Sequence, residues 1–211
     1  MMTQSDSVHP PRFAEWLVSL FTLPNNAESI PGDLLEEFSQ LATESGSAVA
    51  GRWYWRQVLK TVVHLAGAAF RSAPWSTTAA VVGGFLLRRL LAPVPELAIY
   101  AALRRYQIFD SHFGVYLFFA STGIDIGHIL VFLLVGCAVA MVARGREMAA
   151  TTTLALIFGA MVVLSSVVIL ARGGDPLLWR LLWYFADSFA IVLGGVIVRT
   201  RRSAGAVLTA A

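Results

Sequence analysis

Three ionisable residues stand inside long apolar stretches of this sequence and could do chemistry there. Asp125 and His128 are three residues apart, so they share one face of a helix and can form a carboxylate–imidazole hydrogen bond. Asp187 lies in a separate apolar stretch nearer the C-terminus. Ionisable side chains are costly in such segments, so they indicate either packing contacts between helices or a pathway for protons or small solutes.

His128 and Asp187 lie roughly 24 and 18 Å, by helical rise, from the arginines that end their apolar runs. At these depths they can meet in a polar pocket in the outer half of a membrane, which Ser165 and Ser166 could join. Hydrogen bonds that pack the helices are the favoured interpretation, and a relay is the alternative. A metal or hydrolase site has the least support, because one Asp-x-x-His pair and one distant Asp define no such site. The sequence therefore predicts no metal, no cofactor and no enzymatic activity.

Composition explains why these residues must be positioned by membrane helices. The chain has 211 residues, of which 57% are hydrophobic and only 14% are charged, whereas a soluble domain has about 25% charged residues. Apolar runs over residues 122–143, 149–171 and 178–198 are each long enough to span a bilayer, and a shorter run over 73–91 is the fourth candidate. The sequence predicts an all-α membrane protein with a helical N-terminal prefix and a four-helix transmembrane bundle.

Charge divides the chain into an acidic front and a basic remainder. Residues 1–50 carry one basic and seven acidic side chains, and residues 51–211 carry 15 basic and six acidic ones. We predict an acidic cytoplasmic prefix over 1–50, an interfacial amphipathic helix over 51–72, the bundle over 73–202 and a tail over 203–211. The basic residues flank apolar runs and form no stripe on a polar face, which favours a lipid bilayer and not nucleic acid as the partner.

Arginines placed directly beside the apolar runs predict the orientation. Arg144 and Arg146 follow the run over 122–143, and further arginines follow the run over 178–198. Because basic residues beside a span favour the cytoplasmic side, both termini are predicted to be cytoplasmic.

A cluster of aromatic and basic residues precedes the first apolar run. Aromatic rings with basic neighbours suit a helix that lies at the level of the lipid headgroups. The predicted membrane-interface anchor consists of Arg52, Trp53, Tyr54, Trp55, Arg56 and Lys60.

Three ordered blocks in the front quarter of the chain resemble a known family. They are Pro-Pro-Arg-Phe-Ala-Glu-Trp-Leu (10–17), Pro-Gly-Asp-Leu-Leu-Glu-Glu-Phe (31–38) and Arg-Trp-Tyr-Trp-Arg-Gln-Val-Leu (52–59). Together they resemble permease prefix domain 2, which precedes the membrane part of large orphan ABC-type permeases and also occurs on short multi-pass proteins. The resemblance implies a small helical cytoplasmic module that leads into a bacterial inner-membrane segment. The chain has no stretch long enough for the periplasmic domain of those large permeases, so the resemblance does not imply export activity.

The prefix also contains residues that could bind a partner protein. They are Phe13, Trp16, Asp33, Glu36, Glu37 and Phe38. For the three acids, a simpler interpretation is that they face water at the start of a helix, where the helix dipole favours negative charge.

The predicted function is that of a non-enzymatic inner-membrane accessory or interaction subunit, associated with an ABC-type permease system. The alternative is a small transporter or channel that uses Asp125, His128 and Asp187. The predicted partners are the bilayer and a protein. Homo-oligomers are left open, because Gly83-Gly84 and Gly194-Gly195 allow helices to approach closely.

Overall fold

A computed structural model describes residues 9–22, 29–174 and 178–210, and every regular element in these ranges is a helix. This confirms the all-α prediction. The chain divides into two compact units, Met1–Ala73 and Pro74–Ala211. Four helical segments, all in the second unit, are long and apolar enough to cross a membrane.

The described residues of the first unit form three helices: α1 (Arg12–Phe21), α2 (Ser29–Ser45) and α3 (Ser47–Ser72). Both α1 and α2 pack against α3. Ala50, Tyr54 and Val58 recur every four residues along α3 and are almost completely buried, so one face of α3 forms the centre of this core. Ala14 and Val18 of α1 complete it from one side.

Two boundaries in this unit differ from those that the sequence predicts. Asp33, Glu36 and Glu37 were predicted to lie at the start of a helix, but α2 already begins at Ser29, since a proline such as Pro31 is tolerated in a first turn. Its acidic residues therefore lie beyond the first turn, where the helix dipole favours them less. The predicted prefix boundary at residue 50 falls inside α3, because the buried face of α3 holds the unit together.

The second unit, over residues 74–174 and 178–210, forms seven helices and one π-helical turn. They are α4 (Pro74–Leu91), α5 (Val94–Arg105), α6 (Ile108–Ser111), α7 (Phe113–Phe118), the π turn Phe119–Gly123, α8 (Ile124–Val142), α9 (Glu147–Ala171) and α10 (Leu178–Ala210). The core lies where α4, α8, α9 and α10 meet, and α8 is in contact with the other three. The long apolar runs of the sequence thus bury one face of each helix and leave the other open to lipid.

The spans differ in extent from the predicted ones. The segments able to cross are Pro74–Arg105, Phe113–Val142, Glu147–Ala171 and Leu181–Arg202. The first includes both α4 and α5, which are separated at Pro93 because a proline has no backbone N–H for the helical ladder. Helix α10 continues to Ala210, so the predicted separate tail over 203–211 is helical as far as the structure describes it.

Candidate functional site

The candidate site is a set of ionisable side chains inside the second unit, and it includes one residue that the sequence did not indicate. Asp187 on α10 is partly buried and interacts electrostatically with Asp125 on α8 and with Arg88 on α4. The two carboxylates that the sequence singled out are therefore brought together. The arginine adds a positive charge to the set.

Arg88 lies between two aromatic rings of the bundle. Its guanidinium carbon is 4.9 Å from the centre of the Phe132 ring and 4.6 Å from that of Phe158. These two rings meet edge to face at 5.8 Å. Arg88 Nε has no hydrogen-bond partner, and the cation–π contacts and the carboxylate of Asp187 stabilise this charge. Arg88 is thus half-buried and packs against two core phenylalanines of the bundle.

The sequence missed Arg88 because the pair Arg88-Arg89 looks like the end of a short apolar run. In the structure that run continues past Pro93 into α5, and the membrane-compatible segment extends to Arg105. The signal that could have found it is the apolar content of the residues after the pair, from Leu90 to Leu103. Two arginines and two prolines interrupt the apolar residues, so the sequence did not show that the run continues from α4 into α5.

His128 has a partner that the spacing rule did not indicate. Its Nε2 atom is 3.2 Å from the carbonyl oxygen of Ala92. Ala92 lies in the break between α4 and α5, where the helical ladder is interrupted and a carbonyl can accept a side-chain donor. Within the described ranges, no hydrogen bond joins His128 to Asp125. Nε2–H donates to Ala92, so His128 ties α8 to the broken helix.

The two serines do not join the set. Ser165 and Ser166 donate their hydroxyl hydrogens to the carbonyl oxygens of Met161 and Val162, one turn earlier in α9. A serine in a membrane helix commonly satisfies its hydroxyl in this way, without a partner on another helix. The predicted pocket is thus reduced to Asp125 and Asp187, with Arg88 as a new member.

A second charged cluster, also missed by the sequence analysis, closes one end of the bundle. Glu147 at the start of α9 is 3% exposed and forms ion pairs with Arg199, at 3.4 Å, and with Arg202 of α10. Its carboxylate also accepts the N–H of Gly145 at 3.0 Å. Gly145 has a φ of +76°, which favours glycine and turns the chain toward the carboxylate. We refer to this end of the unit as the Glu147 end.

Close helix contacts leave little space between the charged set and the Glu147 end. A Cβ atom on Gly136 of α8 would collide with the backbone of Ile191, and one on Gly194 would lie 2.5 Å from the carbonyl oxygen of Leu133. Gly195 approaches Thr151 of α9 in the same manner. These contacts involve backbone or buried atoms. Helices α8, α9 and α10 are therefore closely packed between the charged set and the Glu147 end.

A groove on the side of the bundle contains none of the charged residues. It has a volume of about 300 Å³ and lies between α4 and α8. Its lining is entirely apolar: Ala79, Ala80, Gly83, Gly84, Leu87, Ala138, Val139 and Val142. In the part of the chain that the structure describes, no three His, Cys, Asp or Glu side chains converge as a metal site would require.

The aromatic anchor predicted from the sequence needs correction. Tyr54 is 1% exposed and meets the ring of Phe38 edge to face at 5.5 Å, so both residues belong to the core of the first unit. Burial, and then the charge of Glu15, raise the pKa of the Tyr54 hydroxyl above 10.0, which keeps this side chain neutral. Trp53 and Trp55 are partly buried against the same core. Tyr54 therefore cannot reach lipid, and Phe38 cannot form part of a docking surface.

The remaining predicted docking and anchor residues are accessible. Phe13 and Trp16 are 61% and 40% exposed, and the acids Asp33, Glu36 and Glu37 all lie on the surface. Arg52, Arg56 and Lys60 are exposed as well.

The helices and the charged set define this chain as an all-α, multi-pass membrane protein. Neither models of known protein families, nor curated proteins, nor solved structures match the chain. The resemblance to permease prefix domain 2 therefore depends on its three sequence blocks alone and stays a prediction.

Coupling between Arg88 and Asp187 can be measured directly. Arg88→Met leaves Asp187 without its cation, and Asp187→Asn leaves the half-buried Arg88 without its carboxylate, so each change should lower the free energy of unfolding by roughly 1–2 kcal/mol. The double variant should be closer to wild type than the two single losses predict. Denaturation in mixed detergent micelles measures the free energy of unfolding of the wild type, the two single variants and the double variant. Arg89→Met, at the exposed neighbouring position, is the matched control; strictly additive losses would contradict the coupling.

Proposed function

We propose that this protein is a non-enzymatic accessory or interaction subunit of a bacterial inner membrane, with both termini in the cytoplasm and an ABC-type permease system as its partner. The observation that carries the proposal is how the bundle uses its polar groups. His128 binds a carbonyl of its own bundle, Arg88 lies between two of its rings, and Glu147 joins two of its helices. Such contacts serve to fix the bundle, as expected of a scaffold.

The surface of the first unit supports a contact with another protein. Helix α2 exposes Asp33, Glu36 and Glu37 together with Leu35, which is 41% exposed. Acidic side chains around an exposed apolar residue suit a partner surface that is basic and partly apolar. The three blocks that resemble permease prefix domain 2 include this segment, and this favours a permease as the partner.

A small transporter or channel is the second candidate, and one observation favours it. Arg88, Asp125 and Asp187 form a group of interacting charges inside the helices that can cross a membrane. Ionisable residues at such positions mark ion or proton pathways in many transporters. Against this candidate, the tight contacts around Gly136 and Gly194 occupy the space between the group and the Glu147 end.

Photocrosslinking in native membranes tests the accessory role. A benzophenone amino acid at Leu35 of the full-length protein should yield one discrete adduct with a permease subunit, identified by mass spectrometry. Glu36→Lys/Glu37→Lys should reduce this adduct at least several-fold, because it reverses the charge beside the probe. Glu96→Lys, on the exposed surface of the second unit, is the matched control and should leave the adduct unchanged. Absence of any protein adduct at Leu35 would contradict the proposal.

Reconstituted vesicles distinguish the second candidate. With a pH-sensitive dye inside, vesicles that contain the wild-type protein should leak protons no faster than empty ones. Proton flux in wild type that disappears in both Asp125→Asn and Asp187→Asn, with correct insertion and matched melting temperatures, would favour transport.

A further inference from the structure

Helix α3 has a face that is exposed among the described residues of the first unit, 9–22 and 29–73. Opposite its buried stripe of Ala50, Tyr54 and Val58, exposed residues recur at helical spacing. We call this the outer face of α3, and it consists of Val49, Arg52, Arg56, Leu59, Lys60 and Val63. Leu59 is 55% exposed and Val63 is 72% exposed. Apolar and basic side chains therefore share one uncovered helical surface.

Charge is distributed unevenly around this unit. Between Ser47 and Ser72, α3 contains four arginine or lysine residues and no acidic residue. The exposed acids are on α2, which packs against the opposite side of α3 through Phe38 and Tyr54. The outer face is thus electrostatically complementary to an anionic surface, and α2 would be repelled by one.

Exposed aromatic rings extend the outer face onto α1. Phe13 lies 6.1 Å from the ring of Trp55 and 5.3 Å from that of Trp16, measured between ring centres. Phe13 nevertheless stays largely exposed. Aromatic rings beside basic and aliphatic residues are the composition found in helices that lie at the boundary between headgroups and acyl chains.

Little chain separates α3 from the first membrane-compatible segment. Helix α3 ends at Ser72, and α4 begins at Pro74, so a single residue separates them. At 1.5 Å per residue, Val63 is only about 14 Å along the helix from Ser72. A bilayer surface is therefore within reach of the outer face without any partner protein.

We propose that the outer face of α3 binds an anionic phospholipid surface beside the first span. Arg52, Arg56 and Lys60 contact lipid phosphates, Leu59 and Val63 enter the boundary of the acyl chains, and the acidic α2 faces water. This inference goes beyond the accessory role and does not depend on it. It also replaces the anchor predicted from the aromatic residues, because Tyr54 faces the protein core.

Spin labels on the full-length protein in lipid nanodiscs test the proposal. The label is placed at Val63→Cys in a Cys137→Ala background, since Cys137 is the sole cysteine. In nanodiscs that contain phosphatidylglycerol, we expect the label to be at least threefold less accessible to a water-soluble nickel complex than in purely zwitterionic nanodiscs. A label at Gln40→Cys, on the exposed surface of α2, should remain accessible in both.

Two changes should reverse the protection at Val63. Arg52→Glu/Arg56→Glu/Lys60→Glu should restore nickel accessibility, with unchanged helicity by circular dichroism as the folding control. In the protein that keeps Arg52, Arg56 and Lys60, high salt should partly restore nickel accessibility of the label, because ions screen exposed charges. Equal accessibility in anionic and zwitterionic nanodiscs would overturn the proposal. Protection of the label that persists in detergent without lipid would also overturn it. Spin–spin broadening that disappears on dilution with unlabelled protein would overturn it too, because it would identify a second copy of the chain as the occupant of the outer face.

Discussion

Glu147→Ala is expected to lower the free energy of unfolding by roughly 3 kcal/mol, near the lower end of the range for a buried charge left without its partner. We expect a value near the lower end because Arg202, one of the cations left without a partner, keeps 39% of its side chain exposed and can be solvated by water. The side chain of Glu147 itself is only 4% exposed. The substitution removes the acceptor for Arg199, Arg202 and the N–H of Gly145 together. The Glu147 end should then open before the rest of the bundle.

Titration with sodium dodecyl sulfate in mixed micelles, followed by circular dichroism, measures this loss. Glu96→Ala is the control, because Glu96 is exposed in the first turn of α5 and should contribute less than about 1 kcal/mol through the helix dipole. Glu147→Gln should have an intermediate effect, since an amide can still accept the Gly145 hydrogen bond. Equal unfolding midpoints for Glu147→Ala and Glu96→Ala would show that the cluster does not hold this end together.

Gly136→Ala is expected to cost about 2 kcal/mol, within the range for overpacking a well-packed core. The added Cβ would lie 2.9 Å from the Cα and carbonyl carbon of Ile191 and closer still to its oxygen. These are backbone atoms of α10, so no side-chain rotation can relieve the contact. Helices α8 and α10 must separate, and the Arg88 and Asp187 environment should change with them.

Gly159→Ala provides a matched control in the same bundle. No heavy atom lies within 4 Å of a Cβ at this position of α9. Alanine there should be neutral or should stabilise the helix by up to about 1 kcal/mol, because glycine costs helix propensity. The expected result of the same detergent titration is a loss of stability for Gly136→Ala and no loss for Gly159→Ala. Similar values at both positions would mean that the α8–α10 contact at Gly136 is looser than described.

The sequence by itself determined the fold class and the number of membrane-compatible segments. Apolar runs of about 20 residues that cross a bilayer must pair their backbone N–H and C=O groups without water. Outside a closed barrel, only a helix does this. Apolar residues at helical spacing indicated two helices in the prefix, with Phe13, Trp16 and Leu17 in α1 and Leu34, Phe38 and Leu41 in α2. Glycine is a common residue at a helix end, and Gly46 follows the last residue of α2 with a φ of +86°. Each of these features depends on neighbours along the chain.

Tertiary structure alone decided which polar groups meet. Spacing along one helix suggested an Asp125–His128 bond, but a helix break 36 residues away offered His128 the carbonyl of Ala92. Arg88 looked like the edge of a run, yet Phe132 and Phe158 from two other helices enclose it. The partners come from distant parts of the chain, and packing of whole helices sets their distances.

The direction of the aromatic residues was decided in the same way. Trp53, Tyr54 and Trp55 suit a membrane interface and a protein core equally well, because their rings are apolar and carry a polar group. Only the docking of α2 against α3 placed Tyr54 beside Phe38 and left the opposite face of α3, with its arginines and Val63, uncovered. Residue type fixes what a side chain can do, and the surfaces that helices bury against one another fix which of those roles it takes.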